Sequence, residues 1–157
     1  HAFLRQLPSS AIIPVAIQML GLTQVMGLFV IAFGAIWPML LATIHGFAAV
    51  EPRLYEVARS LHMSRLAVIF KIALPSASPD ILSGMRLSLT VALILSVVCE
   101  VLAGLDGLGH WVLLSARAFR SADLFAGVIL LGIIGYATAL AMSMVEKRLL
   151  KWRSSGH

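Results

Sequence analysis

Between Gln6 and Val50 no residue carries a formal charge, and a second charge-free run extends from Leu124 to Val145. A soluble domain, about one quarter charged, does not tolerate such stretches. This chain of 157 residues is 12% charged and 60% hydrophobic, so it is built for lipid. About 20 apolar residues cross the hydrocarbon of a bilayer, so the first run is too long for one crossing. Gly21-Leu22-Thr23-Gln24 is its natural break.

Four apolar pieces follow from this reading. Residues 10–20 form a partial or broken N-terminal span containing Pro14. Residues 25–44 form a full span, with Pro38 as an expected kink and with Gly27 and Gly34 open to close helix contact. Residues 80–102 and 124–145 form two more. The expected architecture is an all-α polytopic membrane helical bundle in one domain. Arg86 near the start of the third piece reads as a residue that snorkels to headgroups. The segment 104–123 reads as a connecting loop, with Asp106-Gly107 and Gly109 as turn signals and Trp111 as an interfacial anchor.

The central segment, residues 46–79, is polar. Its core is Glu56 to Pro75, EVARSLHMSRLAVIFKIALP. Leu54, Ala58 and Leu61 share one helical face. Ser64 is an N-cap candidate, and Leu66, Ile69, Phe70, Ala73 and Leu74 repeat the pattern after it. Two short amphipathic helices are expected, with a turn at His62-Met63 and a stop at Pro75. Neither piece crosses a bilayer. Each offers an apolar ridge to a groove on another protein, or lies against headgroups.

Charge decides orientation. With the central segment cytoplasmic, Arg117 and Arg120 alone of the 12 basic residues fall outside. Arg5, Arg53, Arg59, Arg65, Lys71, Arg86, Lys147, Arg148, Lys151 and Arg153 then lie inside, as the positive-inside rule asks. The C-terminus falls on the same side. The net charge of +5 therefore speaks for a membrane and not for nucleic acid. Cys99 is the one cysteine, which excludes an internal disulfide. His45, His62 and His110 have no metal-ligand spacing, and no phosphate-cradling Gly-Lys-Ser/Thr run is present.

Glu56-Val57-Ala58, His62 six residues after Glu56, and Ile72-Ala73-Leu74-Pro75 resemble the cytoplasmic loop of importer permeases of the ATP-binding-cassette class. The family pattern has Ala at 57 and Gly at 62. That Gly takes a left-handed turn, which costs a residue with a Cβ about 1 kcal/mol. The lead Leu4-Arg5-Gln6-Leu7-Pro8 through Ile13-Pro14 resembles the nitrate, sulfonate and taurine branch. Gly84-Met85-Arg86-Leu87-Ser88-Leu89 followed by Glu100 resembles the permeases' helix after the loop, and Leu108-Gly109 and Glu146-Lys147-Arg148-Leu149 also fit.

The resemblance implies a type-I-like permease core, N-terminally incomplete because family members carry further spans. It also implies a place in the inner membrane and no cofactor of its own, ATP being bound and hydrolysed by a separate ATP-binding subunit. An external solute-binding protein, a second permease copy and membrane lipid complete the expected partners. Docking to the ATP-binding subunit falls to Tyr55, Glu56, Ala58, Leu61, His62, Ser64, Phe70 and Pro75. Glu100, Ser96 and Arg86 are the pathway candidates, and Glu100 reads equally as an interfacial acid near water. The implied solute is a small anion of the sulfonate, taurine or nitrate class. An ATP-independent transporter or channel subunit, and a non-functional permease remnant, are the competing readings.

Overall fold

A computed structural model describes Pro8 and residues 11–151. Leu4 to Leu7, Ser10, Trp152 and Arg153, to which the sequence assigns the lead, the start of the first piece and the tail, lie outside them. All regular structure among the described residues is helical, which agrees with an all-α membrane bundle.

Helix α1 (Ile12–Leu20) is about 14 Å long, too short to cross roughly 30 Å of hydrocarbon. It ends at Gly21, whose φ of 75° only glycine adopts freely. Thr23 then caps α2 (Gln24–Ala48), its hydroxyl accepting from the Met26 N–H at 3.4 Å. The break expected at Gly21–Gln24 is therefore a glycine stop followed at once by a threonine start. Ile13 and Ala16 of α1 close over Met26, Val30, Cys99 and Ala103, forming a buried apolar cluster among the described residues.

After α3 (Pro52–Ser60) the structure departs from the sequence reading. The helix that begins at Arg65 does not stop at Pro75. It passes through a π-helical turn (Ile69–Ala73) and continues to Ala103, giving one 39-residue helix, α4. The physical reason is local. Proline removes an N–H and crowds the carbonyl four residues back, and a π turn shifts the bonding register just there. Leu74 donates to the Ile69 carbonyl, five residues back, so Pro75 enters as the second residue of a resumed α-register. The second amphipathic piece is thus the foot of a spanning helix, and the non-helical part of the central segment is short.

Helices α2 and α4 run antiparallel and pack closely through small residues. A side chain at Gly84 would strike Ala42 and the Pro38 carbonyl, and one at Gly46 would meet Ala77 and Asp80. Gly34 is buried, but Gly27 faces the Leu105 side chain after α4 rather than a helix. Gly46 and Gly84 are the contact glycines that sequence alone did not single out.

The segment 104–123 is not a plain loop. Leu108–Arg117 form α5, with Asp106 and Gly107 as the turn before it and Gly109 inside it. It ends in a double hydrogen bond: Arg120 N–H to Ser115 C=O at 3.0 Å and Phe119 N–H to Ala116 C=O at 3.2 Å. This is a Schellman stop, with Phe119 in the left-handed position at φ 55°. Helix α6 (Ser121–Leu149) lies on α5 through Gly127, against which Trp111 and Val112 press. Among the described residues α2, α4 and α6 are long and apolar enough to cross a membrane.

Candidate functional site

Helix α3 begins at Pro52, which needs no N–H in a first turn. It ends in the same Schellman geometry as α5. Met63 N–H bonds Ala58 C=O at 3.1 Å and His62 N–H bonds Arg59 C=O at 3.0 Å. His62 is the left-handed residue, with φ 51°. The position where the resembling family has glycine is thus a true left-handed turn, occupied here by a residue that tolerates it better than most. Ser64 then caps α4, its hydroxyl accepting from Ala67 N–H at 3.2 Å. Ser60 Oγ donates back to Glu56 C=O at 3.1 Å.

Two caps in immediate succession fix the angle between α3 and the foot of α4. Between them lies a groove of about 760 Å³ lined by Tyr55, Glu56, Ala58, Arg59, Met63 and Ile69, among others. Ala58 is its floor, 2% exposed. The C-terminal motif explains why Met63 is there: a Schellman motif places the residue after the left-handed one against the helix it has just left. Leu61 and Phe70 project outward, 68% and 64% exposed, and do not line the groove. His62 and Ser64 are exposed beside it, with Ser64 committed to its cap. Pro75 sits half-buried further along α4. The sequence reading missed Met63 and Ile69 as groove residues, and the signal for Met63 was the turn at His62.

The second group of candidates lies at the far end of α4. Glu100 Oε2 accepts the Gly109 N–H at 2.6 Å, and Ser96 Oγ donates to Oε1 at 3.5 Å. Gly109 is the second residue of α5, so the carboxylate sits on that helix's N-terminus, where unpaired N–H groups and the helix dipole favour negative charge. Gly107 and Gly109 pass so close that a side chain on either would collide with Glu100. Gln24, Cys99 and Asp106 share with it a small cleft of about 180 Å³. Arg86 stands apart from both, paired with Glu146 of α6. Its guanidinium is bound to a partner helix as well as reaching towards water. Among the described residues no three His, Cys, Asp or Glu side chains gather as metal ligands would.

Comparison with known proteins gives one consistent class. Residues 2–151 match the family described as binding-protein-dependent transport system inner membrane component. A putative aliphatic sulfonates transport permease of Bacillus subtilis (strain 168) is 36% identical over 97% of this chain and 55% of its own length. Its counterpart in Escherichia coli (strain K12) is 28% identical over 98% and 59%. A bicarbonate transport system permease of Synechococcus elongatus is 27% identical over 95% and 54%. The chain therefore spans a little over half the length of these relatives.

Proposed function

We infer that this chain, which belongs to the family of binding-protein-dependent transport system inner membrane components, is the membrane-spanning part of an ATP-driven importer for a small anion. The observation that carries the reading is mechanical. The groove between α3 and the foot of α4 is held by two consecutive caps, and that foot is continuous with the longest spanning helix. A helix on an ATP-binding subunit that filled the groove would grip the end of a rod reaching through the bilayer. Nucleotide-driven movement of that subunit would then bias two arrangements of the spans, which is what coupling requires.

Tyr55, Glu56 and Ala58 make the contact from α3, with Leu61 and Phe70 as outlying apolar points. This chain's part is docking and transmission, and ATP is held by the partner. The loop end and the C-terminus of α6 face the cytoplasm, on the charge bias of the sequence. A second permease copy and an external solute-binding protein complete the assembly. Relatives named for sulfonates and for bicarbonate share a small oxyanion as solute, and the sulfonate class has the stronger support from identity.

Co-expression with the cognate ATP-binding subunit tests the docking. Ala58→Glu, which puts a charge on the groove floor, abolishes co-purification while the permease still reaches the membrane. Undiminished capture would overturn the reading. Uptake of a labelled aliphatic sulfonate into vesicles, competed by a second sulfonate and not by bicarbonate, tests the solute class.

A further inference from the structure

The seam between α4 and α6 leaves two openings, which differ in kind. Level with the C-terminal end of α6 and the middle of α4, Arg86, Ser143, Glu146, Lys147 and Leu150 line a groove of about 410 Å³. Further along the same faces, Leu93, Ile94 and Val97 of α4 oppose Leu131, Ile134 and Gly135 of α6 across an apolar cleft of about 310 Å³. A Cβ added at Gly135 meets nothing within 4 Å, so the cleft has room beside that residue.

The spacing between the two openings is informative. Arg86 to Val97 along α4, and Glu146 back to Gly135 along α6, each climb about 16 Å. That is close to half of the roughly 30 Å hydrocarbon core, the depth of a single leaflet. The polar groove carries two cations and one anion. Glu146 meets Arg86 through one guanidinium nitrogen, Nη2, out of five N–H donors. The pair is open to solvent, with Arg86 49% and Glu146 24% exposed. Lys147 lines the same groove, and Arg148 follows it on α6. A net positive groove about one leaflet's depth from an apolar cleft on the same pair of helices, with the buried Met142 between them in sequence, has the spacing and charge of a phospholipid.

We propose that the α4–α6 seam binds one anionic glycerophospholipid from the leaflet on the central-loop side. Its phosphate lies at Arg86 and Lys147, and an acyl chain runs to Gly135. The lipid completes the contact between two helices that otherwise touch little, and holds α6 against the helix that carries the docking foot.

Native mass spectrometry of the purified full chain, with phosphatidylglycerol or phosphatidylcholine added to the detergent, tests this. One retained phosphatidylglycerol, at several-fold higher occupancy than phosphatidylcholine, is expected. Lys147→Gln at the exposed headgroup end lowers its affinity roughly five-fold. Gly135→Leu, whose Cβ has room and whose branch occupies the cleft, lowers retention of both lipids with every charge in place. Millimolar inorganic phosphate displaces nothing. Equal retention of the two lipids would overturn the headgroup assignment. Loss on Lys147→Gln with full retention on Gly135→Leu would reduce the effect to surface charge and overturn the seam. Displacement by phosphate, or a photo-crosslinker at position 135 that captures protein instead of lipid, would overturn it equally.

Discussion

His62 and Phe119 each hold the left-handed position of a helix stop, and neither is glycine. A Cβ there costs about 1 kcal/mol. His62→Gly and Phe119→Gly are each expected to raise unfolding stability by about that amount. Phe119 is 92% exposed, so nothing is lost in packing, and thermal melts of the detergent-solubilised chain check both. Ser64→Ala runs the other way, costing about 1 kcal/mol as the α4 cap is lost. Glu100→Ala leaves the Gly109 N–H without its acceptor, at about 1–3 kcal/mol, whereas Glu100→Gln keeps an oxygen in place and costs less. Faster amide exchange at the start of α5 in the alanine variant alone checks this. Of these residues, Ser64 and the turn at His62 were legible in the sequence because caps and left-handed turns are local. The capping role of Glu100 was not, because its partner lies in a segment that reads as loop.

At the scale of elements, α4 separates what periodicity reveals from what it hides. The apolar pattern from Leu66 to Leu74 was read correctly as helix, and the error was to end it at Pro75. Proline forbids an α-bond at one position, and a single π turn supplies another way through. Pro75→Ala restores the missing N–H and lets residues 69–73 relax to α-register. Side chains before it then swing about 100° relative to the span. The expected outcome is loss of co-purification with the ATP-binding subunit at unchanged helix content by circular dichroism. Helix α5 escaped notice for the opposite reason: Gly107 and Gly109, which suggest turns, are there to let the chain pass close to Glu100.

For the whole molecule, the three long apolar helices of the described residues were legible from two charge-free runs and one run, residues 80–102, that carries few charges, since water-averse stretches of that length have few alternatives. Which helices touch was not, because α2 and α4 meet through Gly46 and Gly84, and small residues leave no hydrophobic signature. The orientation inferred from basic residues makes a direct prediction. A cysteine at Arg59 reacts with an impermeant maleimide only from the cytoplasmic face, and one at Phe119 only from the opposite face. The native thiol gives no background, since Cys99 is 1% exposed within the α1–α2–α4 cluster. Reversal of the two labelling patterns would invert the molecule and remove the docking proposal with it.

Gly84, where a side chain would strike Ala42 of α2, stands at the midpoint of Arg65–Ala103. A stiff beam resting on a central fulcrum behaves like a seesaw. Under the proposed docking, a push on its foot would return at its head with opposite sign and similar size.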